Sequence, residues 1–327
     1  MRLSVALATH DGRRWLPELL ASLAAQTRLP NELVVCDDAS TDGTDAVLDD
    51  FAASAPFEVR RLANAERLGP VRTFERALTA TDGDLVALCD QDDRWAPEKL
   101  AVLTRELDRP DVSLAFSDAE LVDEGGNAGG RTLWAELGFS RRQRDSLVGS
   151  PPGPILRHAV ASGCTSVLRR SVLDAAAPFP AVLDLVAEPV LHDRWLSLVA
   201  GCTGRVVPVA APLVQYRVHP DQAVGARWVS GSEELGVQAR RSAADVRARA
   251  EARLRLLDVL EDRLDTGDPL SVAVREQLTD LRRHLEVRAD LGCRRSRLRP
   301  VLAQLATGGY RRFGSGPASA LLDLVRS

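Results

Sequence analysis

The sequence predicts an α/β protein with a mostly parallel central sheet, flanking helices and a C-terminal helical extension. Short apolar runs of strand length alternate with segments in which apolar residues have helical spacing. The clearest strand lies within Asp84–Trp95, where the apolar stretch Leu85–Cys89 ends directly in three carboxylates. Strands and helices that alternate in this way are typical of a parallel sheet covered on both faces.

The elements follow one another without an internal repeat. Strands are predicted at Leu3–Thr9, Leu33–Cys36, Glu58–Leu62, Leu85–Cys89, Val112–Phe116 and Ser166–Leu168. Helices are predicted at Arg13–Gln26, around Val47–Phe51, at Gly69–Thr81, from Pro97 to Leu107 and at Glu188–Ala200. Two short strands, Arg205–Val209 and Pro212–Val218, precede the helical extension. Residues 123–154 are rich in Gly, Arg and Pro and lack a clear period, so an irregular loop is expected there.

Polar clusters follow three of the predicted strands, at Thr9–Asp11, Asp37–Asp38 and Asp90–Asp93. In a parallel sheet the carboxyl ends of strands meet at one edge, so these clusters are expected to converge on one crevice. Crowded carboxylates stay ionised beside a positive charge, and Mg²⁺ or Mn²⁺ with oxygen ligands is the usual partner. A solvated acidic turn is the alternative. No G-x-G-x-x-G follows the first strand, which argues against a classical dinucleotide site.

Other small and polar residues admit two interpretations. Ser40 and Asp42 are better explained as helix caps than as ligands. The run Ser162–Thr165 contains small residues that would let a ligand approach the backbone, although a tight turn is the alternative. Asp193 without further context is a helix-surface carboxylate, and His219 is a structural histidine.

Composition narrows the class of protein. The chain has 327 residues and a net charge of −4, which gives no reason to expect nucleic acid as a partner. Its five cysteines are scattered and lack the spacing of a zinc site, which fits a reducing cytoplasm. The first apolar run is too short for a signal peptide, and we expect no membrane-spanning segment.

Charge is unevenly distributed along the chain. Residues 227–327 contain 19 arginines and 14 acids, a net charge of +5, so residues 1–226 carry −9. The densest basic run is Cys293–Arg299. The extension could therefore contact an anionic membrane surface peripherally. Interspersed charges more often indicate a solvated helical surface that packs on the preceding part of the chain or forms a homodimer.

Four clusters in a fixed order carry a resemblance to a known family. They are Thr9-His10-Asp11-Gly12, the run from Asp37 to Thr44, the run from Asp90 to Trp95, and His192-Asp193-Arg194-Trp195. Together they resemble family 2 glycosyltransferases, which have the GT-A fold. With Ser162–Thr165 and Tyr216-Arg217-x-His219, the Asp-Gln-Asp-Asp variant looks most like the bacterial rhamnosyltransferase-type branch, whose members build cell-surface polysaccharides.

The resemblance implies a role for each matching position. Residues expected to bind the nucleotide sugar are Thr9, Asp11, Asp38, Asp90, Asp93, Gly163, Cys164, Arg217 and His219. Within this set Thr9, Asp11 and Asp38 would hold the base and ribose, while Arg217 and His219 would lie in a loop over the diphosphate. Asp90 and Asp92 form the D-x-D, and both are expected metal ligands with Asp92 preferred. Asp193 matches the catalytic base.

The resemblance also implies the substrates and the domain organisation. Residues 1–226 would be the catalytic domain and residues 227–327 a helical extension. The donor would be a dTDP- or UDP-linked sugar, and the acceptor a saccharide or a lipid-linked saccharide at the inner face of the plasma membrane. His10 and Asp11 replace a commoner aromatic-Asn pair, and Ala39 replaces a usual glycine, which makes the donor base less certain.

Two other classes of function remain as alternatives. Phosphoryl transfer of the haloacid dehalogenase type needs Asp-x-Asp-Gly-Thr after the first strand, but Ser40–Thr44 has serine at the nucleophile position and follows the second strand. A non-catalytic nucleotide-sugar binding module is the other, and the intact Asp193 argues against it. Slow hydrolysis of a sugar nucleotide in Mn²⁺ would favour the transferase over the binding module.

Overall fold

A nine-stranded sheet organises the part of the chain that the computed structural model describes. That part comprises residues 1–149, 152–157, 160–184, 191–220, 222, 242–263, 269–290, 294–314 and 316–325. The strands are β1 (Leu3–Thr9), β2 (Glu32–Asp37), β3 (Glu58–Ala63), β4 (Leu85–Asp90), β5 (Arg94–Trp95), β6 (Val112–Val122), β7 (Ala128–Thr132), β8 (Ser166–Arg169) and β9 (Arg205–Arg217).

The sheet is mostly parallel, which confirms the fold class predicted from the sequence. Its strand order is β3-β2-β1-β4-β8-β6-β9-β5, and β7 pairs with β6. Strands β3, β2, β1 and β4 run parallel, as do β6 and β9. Antiparallel pairs join β8 to β4 and β6, β7 to β6, and β5 to β9.

Helices flank the sheet and continue into the C-terminal extension. Up to residue 203 they are α1 (Leu16–Ala24), α2 (Thr44–Ala52), α3 (Pro70–Thr79), α4 (Lys99–Glu106), α5 (Leu133–Glu136), α6 (Arg141–Gly149), α7 (Gly153–Arg157), α8 (Arg170–Ala176) and α9 (His192–Thr203). The extension contains α10 (Ala243–Asp262), α11 (Pro269–Ala289), α12 (Arg294–Ala306), α13 (Gly309–Phe313) and α14 (Pro317–Val325). A 3₁₀ turn at Gly163–Thr165 leads into β8.

The register of the parallel strands brings their polar ends to one edge of the sheet. Ala8 pairs with Asp90 of β4, and Thr9 pairs with Asp37 of β2. Alternate residues of β1 are buried on opposite faces, with Leu7 in one core and Ala6 in the other. Because both faces are covered, the crevice forms at the carboxyl edge, as the sequence predicted.

Two expectations about local structure were wrong. Residues 123–154 are not an irregular loop, since they contain β7, α5 and α6, with Trp134, Phe139 and Leu147 buried against the core. Burial of these large apolar side chains overrides the Gly- and Arg-rich composition. The two short strands expected at Arg205–Val209 and Pro212–Val218 form one strand, β9. Strand β9 pairs in parallel with the long strand β6. The two prolines of β9 lie at or beside shifts in the pairing register, where a missing N–H is tolerated.

The first two helices of the extension belong to the main core. Leu257 of α10 and Leu278 of α11 are buried in the same apolar cluster as α9. Arg263 donates hydrogen bonds to the carbonyls of Ala175, Ala176 and Pro178 behind α8. The predicted domain boundary at 226/227 lies outside the described residues. Among the residues that are described, no helix has the length and apolar character needed to cross a bilayer.

Candidate functional site

A cleft opens at the carboxyl edge of the sheet, between the ends of β1, β2 and β4 on one side and α3 and α9 on the other. Its lining includes Thr9, His10, Asp38, Arg67, Thr73, Phe74, Asp90, Gln91, Asp92, Ser162, His192, Asp193, Tyr216 and His219. All four sequence clusters and the His219 segment therefore meet in one place. This convergence agrees with the position at which open α/β sheets bind ligands.

Gln91 fixes the spacing between the ends of β1 and β4. Its side-chain oxygen accepts hydrogen bonds from Thr9 Oγ1 at 2.6 Å and from the backbone N–H of His10 at 2.9 Å. Its side-chain nitrogen donates to the carbonyl of His10 at 3.0 Å. The glutamine in the Asp-Gln-Asp-Asp run therefore holds the floor of the cleft together, a role that the sequence did not indicate.

Asp11 and Asp38 order the loops beside the cleft. Asp11 has a left-handed backbone, with φ of 46°, and its carboxylate accepts the backbone N–H of Thr41 at 2.8 Å. Asp38 accepts hydrogen bonds from the backbone N–H groups of Leu68 and Gly69, both at 2.8 Å, and from Asn64 at 2.6 Å. Burial opposes ionisation of Asp38, but these donors hold its pKa below the usual range.

The segment after β2 is structural, but Ser40 is not the helix cap expected of it, because Gly43 is the N-cap residue of α2. Asp42 accepts hydrogen bonds from the backbone and hydroxyl of Thr44, the first residue of α2. Ser40 donates to Asp37 at 2.5 Å and accepts from the backbone N–H of Asp11 at 2.9 Å. The Asp42 carboxylate is occupied by hydrogen bonds at the start of α2. This segment therefore does not have the arrangement of a phosphoryl-transfer nucleophile.

Asp92 and His219 form a hydrogen-bonded pair in the cleft. Asp92 Oδ2 lies 2.9 Å from His219 Nε2, and both residues line the cleft wall. The His219 ring packs against Trp15, with ring centroids 5.2 Å apart, which orients the imidazole. One carboxylate oxygen and one imidazole nitrogen suit Mn²⁺ or Mg²⁺ when phosphate oxygens supply the remaining ligands. The residues present therefore fit a divalent cation.

A second acidic group extends from the cleft floor, where Asp90 lies, into the core. Ligand atoms of Asp90, Asp93 and Cys164 lie within 4.8 Å of one another. Burial raises the pKa of Asp90 to about 7, with the Asp92 and Asp193 carboxylates acting in the same direction. Burial likewise raises the pKa of Asp93, whose Oδ2 has no hydrogen-bond partner among the described residues.

Lys99 supplies a positive charge to this buried group. It is the single lysine of the chain and is fully buried, with Nζ donating to the carbonyl of Cys164 at 2.6 Å and lying 3.0 Å from the centroid of the Trp95 ring. Burial lowers the pKa of Lys99 to about 7, while the neighbouring carboxylates Asp93 and Asp90 raise it. An internal ammonium already lies beside these carboxylates, so a metal fits better at Asp92 and His219.

Arg217 is committed to protein contacts. Its side chain is 3% exposed, and its guanidinium donates to the carbonyls of Asp92 and Glu124 and to the carboxylate of Glu18. Its backbone N–H donates to Asp93 Oδ1 at 3.1 Å. These contacts join the end of β9 to the acidic run. The two segments are adjacent because β5, which directly follows the acidic run, pairs with the residues of β9 just before Arg217.

Asp193 lies across the cleft, at the first turn of α9. Its carboxylate accepts the backbone N–H of Gly163 at 3.2 Å and that of Arg194 at 2.6 Å. A Cβ at Gly163 would lie 3.2 Å from His192 Nε2 and 3.4 Å from Asp193 Cβ, so glycine permits this close approach. Cys164 is buried behind this turn and faces the lower acidic group rather than the open cleft.

Several cleft residues escaped the sequence reasoning. Arg67 is an exposed cation on the loop that Asp38 holds. His192 is stacked on Phe74 with ring centroids 3.7 Å apart, and burial lowers its pKa to about 4, so it is neutral near pH 7. A single arginine or histidine in a sequence carries no signal that distinguishes a cleft position from any other.

The fold and the site together define an α/β protein with an acidic ligand cleft at the carboxyl edge of a mostly parallel sheet. The chain belongs to glycosyl transferase family 2, whose family model matches residues 4–175. The resemblance carried by the ordered sequence clusters is thereby confirmed.

Proteins with similar sequences come from several bacteria. The uncharacterized protein Rv1520 of Mycobacterium tuberculosis is 32% identical over 127 residues, which is 38% of this chain and 37% of that protein. The dTDP-rhamnosyl transferase RfbG of Shigella flexneri is 26% identical over 229 residues, or 67% of this chain and 74% of that protein. The abequosyltransferase RfbV of Salmonella typhimurium is 32% identical over 110 residues, one third of each chain.

Solved structures resemble the whole chain in fold. TarS of S. aureus in complex with UDP-GlcNAc has a TM-score of 0.58 at 19% identity, covering 99% of this chain and 90% of that one. The mannosyltransferase PcManGT of Pyrobaculum calidifontis, in complex with GDP-Man and Mn²⁺, has a TM-score of 0.52 at 21% identity, covering 98% and 78%. These likenesses confirm the GT-A fold expected from the sequence.

Proposed function

We propose that this protein is an inverting glycosyltransferase that moves a sugar from a nucleoside-diphosphate sugar to an acceptor hydroxyl with the aid of Mg²⁺ or Mn²⁺. The observation that carries the proposal is the arrangement of the cleft. A carboxylate–imidazole pair, Asp92 and His219, lines the same cleft as the carboxylate of Asp193. Such a cleft can bind the leaving group at one site and accept a proton at another.

Asp92 and His219 are the residues we assign to the metal. When bound, a divalent cation neutralises charge that develops on the diphosphate as it leaves. Asp90 adjoins them and lies on the cleft floor, so we keep it as a further ligand or as a contact to the sugar. Asp93 is turned away and 1% exposed, which favours a structural role for it.

Asp193 is our candidate general base. The acceptor oxygen attacks the anomeric carbon, the bond from that carbon to the diphosphate oxygen breaks, and the hydroxyl proton passes to the Asp193 carboxylate. In-line attack of this kind inverts the anomeric configuration. The N–H groups of Gly163 and Arg194 hold the carboxylate in place while leaving it on the cleft wall.

The nucleoside fits the β2 side of the cleft in this proposal. Thr9, Asp11 and Asp38 lie there, but their side chains already bond to Gln91 and to the neighbouring loops. We therefore assign them to shaping the base and ribose site, with Arg67 supplying an exposed donor on the same side. Arg217 is assigned to anchoring the acidic run, and Gly163 and Cys164 to supporting the turn beside Asp193.

The donor and acceptor are inferred from similar proteins. RfbG is named as a dTDP-rhamnosyl transferase, and the TarS structure contains UDP-GlcNAc. We propose a dTDP- or UDP-linked donor, with rhamnose as the sugar to test first, and a saccharide or lipid-linked saccharide acceptor in cell-surface polysaccharide synthesis. The cytoplasmic face of the plasma membrane is the corresponding location.

The test has a binding arm and a turnover arm. Isothermal titration calorimetry with dTDP, UDP and GDP, each with and without Mn²⁺, should show metal-dependent binding of at least one nucleotide. Hydrolysis of dTDP-rhamnose and UDP-GlcNAc in Mn²⁺ should then show slow release of the matching nucleotide. Failure of all three nucleotides to bind would refute the proposal. Binding without any turnover, with acceptor mixtures included, would favour the non-catalytic binding module.

A further inference from the structure

The helical extension divides into two units of different charge. Residues 243–290, which include α10 and α11, contain nine arginines and 11 acids, a net charge of −2. Residues 294–325, which include α12, α13 and α14, contain six arginines and one acid, a net charge of +5. We call residues 294–325 the terminal unit. The net charge of residues 227–327 taken together conceals this difference, because 11 of the 12 acids in the two units belong to the first unit.

The one acid of the terminal unit is not on its surface. Asp323 is fully buried, and its carboxylate accepts a hydrogen bond from Tyr310 at 2.9 Å and pairs with Arg288 of α11 at 3.0 Å. Its carbonyl accepts from Arg297, which is 5% exposed. The described surface of the terminal unit therefore carries arginines without acids. Arg297, part of the basic run seen in the sequence, is not available at that surface.

The terminal unit also exposes large apolar side chains. Leu298 and Leu302 of α12 are 52% and 49% exposed, and Leu321 and Val325 of α14 are 62% and 54% exposed. Within each helix the two residues are four apart, so they share a face. Arg299 lies three residues before Leu302, which places an exposed arginine beside this apolar stripe.

The apolar stripes flank a small internal core. Helices α12 and α14 pack together by burying Val301, Tyr310 and Ala320. Since that core is complete without Leu298, Leu302, Leu321 and Val325, these four residues do not stabilise the unit by burial. Of the exposed arginines, Arg312 pairs with Asp280 of α11. Exposed leucines on helices that also carry exposed arginines are typical of helices that lie in a membrane interface.

We infer that the terminal unit docks on an anionic lipid bilayer. Leucines would enter the boundary between headgroups and acyl chains, and the arginines would stay at the anionic headgroups. A second copy of this chain is a poorer occupant, because it would bring another positive surface against this one. The inference does not depend on the donor or on catalysis, and it would place the cleft near a lipid-linked acceptor.

Co-sedimentation of the full-length protein with vesicles tests this inference. Vesicles of phosphatidylcholine with phosphatidylglycerol should bind the protein, and vesicles of phosphatidylcholine alone should bind it at least about tenfold more weakly. Raising the salt concentration from about 0.1 M to about 0.5 M should weaken binding, since charged headgroups and arginines are screened. Equal binding to both vesicle types would overturn the inference, as would no binding to either.

Two variants separate the apolar and the basic contributions. The double change Leu298→Ser and Leu302→Ser, and separately Arg299→Gln with Arg311→Gln, should each lower vesicle affinity by about tenfold. Matched controls are Val272→Ser on α11, where the valine is 56% exposed, and Arg247→Gln on the exposed surface of α10. Both controls should bind like wild type.

A measurement in solution distinguishes lipid from a second copy. Sedimentation velocity without vesicles should give the same oligomeric state for wild type and the leucine variant, and circular dichroism should show that both are folded. A dimer that the leucine variant abolishes would assign the stripe to self-association and overturn the inference. Unchanged vesicle binding in both terminal-unit variants would also overturn it.

Discussion

Asp92 and Asp93 are consecutive carboxylates with opposite surroundings. Asp92 lines the cleft and contacts the imidazole of His219 at 2.9 Å. Asp93 is 1% exposed, accepts the backbone N–H of Arg217, and lies in the buried acidic group that neighbours Lys99. Strand β5 follows directly and pairs with β9, and here one carboxylate faces the cleft while the next faces the core. A run of acids at a strand end can therefore combine binding with internal structure.

The largest expected effect comes from the residue across the cleft from Asp92. Asp193→Asn preserves size but removes the proton acceptor, so we expect transfer to fall by about 10³-fold, within the range usual for acid–base catalysis. Nucleotide affinity in Mn²⁺ should remain close to wild type, since Asp92 and His219 are intact. Steady-state kinetics and calorimetry measure the two quantities. Asp174→Asn, at an exposed position on α8, is the matched control. An equal loss of affinity and turnover would instead mean that Asp193 binds the nucleotide.

Asp92→Asn tests the cleft side of the comparison directly. We expect the Mn²⁺-dependent part of nucleotide affinity to fall by about 10²-fold, because the metal's contribution of several kcal/mol is lost. Asp93→Asn is the matched variant, one residue away, and should keep its metal dependence. Calorimetry at several Mn²⁺ concentrations measures both. Loss of metal dependence in Asp93→Asn with retention in Asp92→Asn would reverse the assignment of the two carboxylates.

Lys99→Met tests the buried side. Methionine can fill the space beside the Trp95 ring that the lysine side chain occupies. It removes the amino group beside Asp90 and Asp93, so we expect the free energy of unfolding to fall by about 2 kcal/mol. Adding Asp93→Asn should recover part of this loss, because the uncompensated buried carboxylate is removed as well. Urea denaturation of the two single variants and the double variant gives the coupling.

The outcome for Lys99→Met needs a surface control. Arg61→Met removes an exposed partner of Asp49 and should change stability by less than about 0.5 kcal/mol. If Lys99→Met proved as mild as this control, the buried carboxylates would not depend on Lys99 for compensation.

The sequence predicted more of the fold than of the site. Apart from the two-residue strand β5, the strands and helices up to α4 were recognisable from the sequence, because hydrophobic periodicity and the residues at strand ends are local properties. Residues 123–154 were not, since Trp134 and Phe139 are placed by packing against Phe116 of β6, a tertiary contact that the local hydrophobic period does not show. The site clusters were recognised as a set, but the separation of Asp92 from Asp93 depends on β5 pairing with β9 across more than one hundred residues. Spacing along the chain does not encode such a pairing.

Asp38 is a third carboxylate for this comparison. It lines the cleft, but its oxygens already accept hydrogen bonds from other residues of the protein. Asp38→Asn weakens the hydrogen bonds from Leu68, Gly69 and Asn64, so we expect unfolding to be easier by about 1.5 kcal/mol at pH 7. The pKa of this carboxyl is lowered in the folded protein, so its stabilisation is present above the pKa of the unfolded chain, about 4. It is lost as the pH falls through the folded pKa, and the difference between wild type and variant should therefore shrink on acidification. Urea denaturation at pH 7 and at about pH 3 measures it, with Asp50→Asn, exposed on α2, as the control. A stability difference that did not vary with pH would mean that the charge of Asp38 does not contribute to the free energy of unfolding, and that uncharged contacts alone hold its loop.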